Sequence, residues 1–254
     1  MDLGKEKDLI GGFEFPEVSA GLLERRLLQR RVDTKFILDE SALRRVLGSV
    51  AGGYALLRSA NEPVAAYRTL YFDTVDHHSL REHHRGRRPR HKVRVRHYLD
   101  RQLSFLEVKR KTSAETTLKE RHPIAYRNER LSSSDKAFIN AHNPIDAGLL
   151  VSGLRTHFGR ITLVGLKTEE RATFDVQLSF VGPSGEASLP GVVVAEIKQA
   201  RFMARSPVML ALRECGVRPA SMSKYCTAAM LLCPEISLNR FQPILRTLRQ
   251  ACHD

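Results

Sequence analysis

The chain has 254 residues, 42% of them hydrophobic and 27% charged, which excludes a disordered tail and allows a substantial core. Its formal charge of +13 asks for an anionic partner: nucleic acid, phosphorylated small molecules, polyphosphate or an anionic membrane surface. Cys215, Cys226, Cys233 and Cys252 show neither CxxC pairing nor a histidine-rich spacing, which argues against a zinc site and for free thiols in a reducing cytosol. The N-terminus mixes charges of both signs without an apolar h-region, so no signal peptide is expected. The longest apolar run, Tyr225 to Cys233, falls far short of the roughly 20 residues of a membrane span.

In chain order, residues 1–16 read as a flexible tail and 17–254 as one domain, with no repeat, low-complexity linker or internal boundary. EVSAGLLERRLLQR (17–30) has apolar residues at helical spacing. RVDTKFILD is a strand with Val32, Phe36 and Leu38 on one face and Arg31, Asp33 and Lys35 on the other. Asp39 and Ser41 offer N-cap oxygens for a helix through Val50. YRTLYFDT (67–74) is a strand and HHSLREHHR a short helix. Two strands follow, RHKVRVRHY and LSFLEVKRK, joined by a turn at Asp100 to Gln102, then a third at 115–124. Residues 132–157 read as two helices divided by Pro144. FGRITLV (158–164), RATFDVQLSF (171–180) and LPGVVVAEIKQ (189–199) are three more strands. PVMLALRE, SMSKYCTAAMLL and NRFQPILRTLR close the chain as helices. Strands joined mostly by turns predict an α+β fold, an antiparallel sheet or barrel with helices packed outside.

The cations alternate with the period of a strand: Lys35; Lys92, Arg94 and Arg96; Lys109 and Lys111; Lys119 and Arg121; Arg160; Lys198. Each shares its strand with apolar residues on the opposite face, such as Val93 and Val95 or Leu106 and Val108. If the apolar faces point outward under the helices, the basic faces line a lumen that is costly when empty and suited to a polyanion. Neither GxGxxG nor GxxxxGK[ST] is present, so side chains must hold any phosphate. Glu107 and Glu196 each precede a lysine by two and share its face; they are candidate ligands of Mg²⁺ or Mn²⁺, or salt-bridge partners. His77, His78, His83, His84 and His91 are assigned no catalytic role; they widen a basic entrance, HHRGRRPRH. Nucleic-acid binding suits the charge, but there is no Trp, and no paired aromatic platform is expected among the basic strands.

KVRVRHY (92–98), FLEVKRK (105–111), TTLKER (116–121), YFDT (71–74), AEIK (195–198) and SMSKYCTAAM (221–230), in that order, resemble the VTC domain of the triphosphate tunnel metalloenzymes. The resemblance runs from about Arg31 to the C-terminal helix. It implies a closed, eight-stranded antiparallel β-barrel, a tunnel whose basic lumen binds triphosphate or polyphosphate. It implies a polymerase that makes polyphosphate from ATP with Mn²⁺ or Mg²⁺. Alternatives are a non-catalytic binding or regulatory module, or a triphosphate hydrolase. By the resemblance, Arg94, Arg96, Lys109 and Arg160 are the catalytic residues. Lys35, Lys92, Lys119, Arg121, Lys198, Ser223 and Lys224 bind phosphate, and Glu196, with Glu107 second, binds metal. It implies ATP and polyphosphate or triphosphate as partners, no nucleic acid, and a cytoplasmic place with a membrane-protein partner as an option. RVDTK lacks the Glu-x-Glu-x-Lys of the triphosphatase and cyclase branch, and Ser221 and Met222 stand where another lysine is looked for.

Overall fold

The structure, a computed structural model, describes residues 9–26, 28, 31–113, 116–220, 222–234, 236 and 239–253. Ten strands form one antiparallel sheet: β1 Val32–Asp39, β2 Tyr54–Leu56, β3 Ala65–Asp73, β4 Arg90–Tyr98, β5 Leu103–Lys111, β6 Thr117–Ile124, β7 Val151–Gly165, β8 Glu170–Gly182, β9 Gly185–Leu189 and β10 Val192–Gln199. The hydrogen-bonded path runs β1-β10-β8-β7-β3-β4-β5-β6, with β2 beside β7 and β9 beside β8. The helices among the described residues are α1 Ala20–Arg25, α2 Glu40–Val50, α3 His78–Arg85, α4 Ser133–His142, α5 Pro207–Glu214, α6 Lys224–Leu232 and α7 Gln242–His253.

The sheet is strongly curled. Lys35 on β1 reaches the Met222 carbonyl at 3.5 Å, and Lys92 on β4 donates to the next residue, Ser223 Oγ, at 2.8 Å. Five strand steps separate β1 from β4 along the path, which in a flat sheet would be about 24 Å. The curl is helped by a bulge where β7 meets β8: Gln177 takes φ +51°, and the register slips between His157 and Gly159. The convex face carries the apolar residues. Phe36, Leu38, Ile161, Phe174, Ala195 and Ile197 pack under α2 and α5, and Leu70, Val93, Val95, Leu106 and Val108 pack with Ile139 of α4. Helices α6 and α7 close part of the concave side, through Tyr225, Ala229, Leu232, Leu245 and Leu248 against Ile37, Phe158, Leu178 and Val194.

Several expectations are corrected. Among the described residues the barrel is not closed: the eight-strand path ends at β1 and β6 without their pairing. The free edge of β1 is already taken, because Ala220 N donates to Lys35 O at 2.8 Å and Phe36 bridges Pro219. The second helix expected before residue 157 is β7 instead. Its buried Leu154, Thr156 and Phe158 alternate with the more open Arg155 and His157, a strand period. The tail expected through Pro16 joins the core from Leu9 onward: Leu9 and Ile10 are buried, and Phe13 and Phe15 pack on the same cluster. Helix α1 is shorter than its apolar pattern, and the readings at 27, 29, 30, 115 and 221 lie outside the described residues. Strands β2 and β9 went unread, both being very short. No helix among the described residues is long and apolar enough to cross a membrane.

Asp73, at the end of β3, ties the sheet to two helices. Its Oδ1 accepts from Thr74 N at 2.9 Å and Ser79 N at 2.8 Å, and its Oδ2 from Leu80 N at 3.0 Å and Tyr225 Oη at 2.5 Å. It caps α3 in place of His77, whose own side chain makes no cap bond. Removing this buried carboxylate strands several donors at about 1–3 kcal/mol each. Asp73→Ala is therefore expected to lower unfolding stability by about 3 kcal/mol or more, and Tyr225→Phe by about 1 kcal/mol, in urea titrations.

Candidate functional site

The concave face is a basin of cations. Lys92, Lys109 and Lys119 stand directly opposite one another in register across β4, β5 and β6. Like charges in such positions destabilise a sheet. One row deeper, Arg94 pairs across to Glu107, which pairs across to Arg121. Lys35 faces Glu196 across β1 and β10, and Arg160 faces Asp175 across β7 and β8. The N-terminus of α6 enters the same basin, where Ser223 Oγ caps Cys226 N at 3.4 Å and Lys224 lies 4.4 Å from the centre of the Phe158 ring. That helix end adds its partial positive charge to the side chains.

Three carboxylates lie among these cations, and each is held by two of them. Glu107, 0% exposed, takes Arg94 Nε and Nη2 on Oε2 at 2.7 Å and Lys119 on Oε1. Asp175 forms a bidentate pair with Arg160 at 2.5 and 2.8 Å and also takes Lys224. Glu196 takes Lys198 on Oε2, with Lys35 at 3.9 Å from Oε1. Burial pushes Glu107 and Glu196 up, but the adjoining cations outweigh it and hold both at about 2. Asp175 is likewise depressed, against burial, by Arg160 and Lys224. All three are ionised at neutral pH.

The cations outnumber them. Lys92 has only the Ser223 hydroxyl, Arg96 only Thr69 Oγ1 at 3.2 Å and the faces of Tyr67 and Phe158, and Lys109 has no ion-pair partner among the described residues. Burial, then the neighbouring cations Lys35, Arg90 and Arg94, push Lys92 down to about 8. Lys109, crowded by the basin walls though its side chain still meets solvent, is pushed down to about 7 by burial and then by Lys35 and Arg94. Lys109 feels Lys35 and Glu196 from strands far along the path, so the two halves of the basin face each other.

The residues singled out in the sequence thus come together, with differences in position. Arg94, Arg96, Arg160, Lys35, Lys92, Lys109, Lys198, Ser223 and Lys224 line the basin. Lys119 is on its rim, 40% exposed, and Arg121 is exposed and stacked on Phe105 at 5.1 Å. Sequence reasoning missed Asp175, although an acid between Phe174 and Val176 in an apolar strand is a recognisable signal. It also missed a row of rings. Tyr67 stacks on Phe158 at 5.2 Å, Tyr98 meets Tyr67 edge-on at 5.1 Å, and Phe105 follows at 5.8 Å. Strand pairing between distant segments assembles this platform, contrary to the expectation that none lay among the basic strands.

The VTC domain family model matches residues 30–233. The chain belongs to the VTC domain family. Among solved structures, a proposed adenylate cyclase from Bacillus halodurans superposes with a TM-score of 0.51 at 11% identity, covering 76% of this chain and 94% of that one. A proposed adenylyl cyclase from Hippeastrum, described as having a dominant triphosphatase activity, gives 0.47 at 14% identity, covering 79% and 95%. The likeness to the Bacillus protein is one of fold alone. No curated protein matches the sequence.

The family implies a divalent cation, and the carboxylates of this VTC domain fit one narrowly. No group of three or more His, Cys, Asp or Glu among the described residues could cage an ion. Mg²⁺ and Mn²⁺ can instead take one carboxylate and draw their other ligands from water and phosphate. Glu196, with 23% of its side chain exposed, can supply that carboxylate. Glu107, enclosed by Arg94 and Lys119, has the salt-bridge role and no open oxygen to offer.

A pH signature follows from Lys92 and Lys109. Their folded values, about 8 and about 7, lie below the unfolded lysine value of about 10.4, so the unfolded chain binds more protons between them. Stability of the ligand-free protein is therefore expected to rise as pH climbs from 7 toward 9.5. Tripolyphosphate should return protons to both lysines. Calorimetry at pH 8 in buffers of different ionisation heat is expected to show proton uptake on binding, and affinity should fall as pH rises.

Proposed function

We propose that this VTC domain is a metal-dependent phosphoryl transferase that makes polyphosphate from ATP within its basic basin. The observation that carries the reading is the convergence of nine cations from six strands and the α6 N-terminus on one concave face holding three carboxylates. An inward-facing excess of charge suits a narrow polyanion better than a duplex lying on an outer surface.

Phosphoryl transfer needs positioning and charge stabilisation more than protein covalent chemistry. A terminal phosphate oxygen of the acceptor chain attacks the γ-phosphorus of ATP. A new P–O–P link forms as the bond from the γ-phosphorus to the bridging oxygen breaks, and ADP leaves with that oxygen. The attacking oxygen is already anionic, so no general base is required. Arg96 and Arg160, fixed by stacking on Tyr67 and Phe158, present guanidinium forks to phosphate oxygens. Lys92 and Lys109 supply unneutralised point charges beside them. A divalent ion on Glu196 would neutralise phosphate charge when bound.

The test is incubation of purified protein with ATP and Mn²⁺, followed by analysis for ADP and chain products. ADP together with lengthening chains supports the reading. Tight polyphosphate binding with no product would leave a non-catalytic binding module, and phosphate release without chains would leave a hydrolase. Arg94 is a poor probe, because its loss strands buried Glu107 at about 3–5 kcal/mol. Lys109→Ala is cleaner: tripolyphosphate affinity is expected to fall about tenfold or more without loss of stability. Glu196→Gln is expected to abolish Mn²⁺-dependent turnover while binding persists.

A further inference from the structure

The unneutralised charge does not stop at the basin. One row outward from Lys92 and Lys109, Arg90 and Lys111 again stand directly opposite each other in register. Two residues before Arg90, exposed Arg88 continues the line into the loop after α3. None of the three has a carboxylate partner among the described residues. Other cations nearby are engaged: Arg85 and Arg87 pair with Glu82 at 3.8 and 3.6 Å, and Arg31 pairs with Asp33 at 3.0 Å. Away from the basin, Arg68 and Arg155 both meet Glu129 at 2.9 Å. Lone cations are thus arranged as an extension of the basin.

We propose that a phosphate-binding track leads out of the basin over Arg90, Lys111 and Arg88, so that the protein grips long-chain polyphosphate beyond the length of a triphosphate. The proposal rests on the proposed function and names the chain length its site prefers. Successive rows on one strand face are about 6.8 Å apart, so the rows from Arg94 through Lys92 to Arg90 extend about 14 Å before Arg88 is reached. The track is electrically continuous with the basin. Burial and then Arg88 lower Arg90; burial, Arg90, Arg88 and Lys35 lower Lys111. A triphosphate seated among Lys92, Lys109 and Arg96 leaves these outer charges facing water, whereas a longer chain covers them and releases counterions from both regions.

The test compares inorganic tripolyphosphate with long-chain polyphosphate on the full-length protein at fixed salt. Wild type should bind the long chain more tightly and with the steeper salt dependence. Arg88→Glu with Lys111→Glu should cut long-chain affinity about tenfold, the effect of a 1.4 kcal/mol loss, while tripolyphosphate affinity stays within about twofold and reports an intact basin. Arg58→Glu with Arg213→Glu makes the same charge change elsewhere on the surface and should leave both affinities close to wild type. Parallel loss of both ligands in the track variant, equal loss in the surface control, or equal wild-type affinities would overturn the track. Displacement of the long chain by single-stranded RNA at equal phosphate concentration would overturn it as well. Failure of wild type to bind either phosphate ligand would instead sink the proposed function, so the two failures are separable.

Discussion

The repulsion between lysines placed opposite one another on neighbouring strands shapes everything else in this protein. At an effective dielectric near 20, two such heads 5–8 Å apart repel by about 2–3 kcal/mol, less where water reaches them at Lys119. The sheet does not splay because its other face is anchored. Val93, Val95, Leu106 and Val108, all buried, hold β4 and β5 against α4 from behind. The same alternation of side chains that puts those residues in the core puts Lys92, Arg94, Lys109 and Glu107 in the basin. Core and site are two faces of one pattern, and neither can be shifted by a residue without moving the other.

The incomplete sheet and the filled basin are connected. Pro219 and Ala220 run along the free edge of β1, and the chain then turns directly into Ser223 and Lys224. The contact that occupies the edge therefore delivers the N-terminus of α6 to the cations. Tyr225 fastens it there by stacking on Tyr71 at 4.8 Å and donating to Asp73. Closing the barrel by pairing β6 onto β1 would require displacing this segment, and with it Ser223 and Lys224.

Much of this was legible without coordinates. The period-two cations in KVRVR and EVKRK gave strand identity and face together, and Asp39 marked the start of α2 as an N-cap. The ends of β7 were not legible, since LRTHF carries apolar residues at spacings shared by helix and strand; the pairing of Leu70 with Arg155 and Thr69 with Thr156 decides it. Barrel closure also escaped local reading, because it depends on what occupies the β1 edge nearly two hundred residues downstream. Asp175 and the Tyr67–Phe158 stack escaped for the same reason. Each gains its meaning from a partner on another strand, and one strand's pattern does not name the partner.

The three carboxylates bear on what the basin can accept. Nine cations with no internal anion would meet severe self-repulsion at neutral pH, and their desolvation would oppose folding. Glu107, Asp175 and Glu196 relieve this while each remains clamped between two cations. Lys92, Arg96 and Lys109, whose charges no carboxylate meets, are left between them. A monovalent anion can satisfy one of these at a time and gains little over water. A ligand with several closely spaced charges can meet all three at once, with the entropy of positioning lost only once. The carboxylates also repel any anion that strays from this line, so they define a narrow path through a broadly positive surface. Selectivity for a linear polyanion then comes from the placement of the negative charges as much as from the number of positive ones.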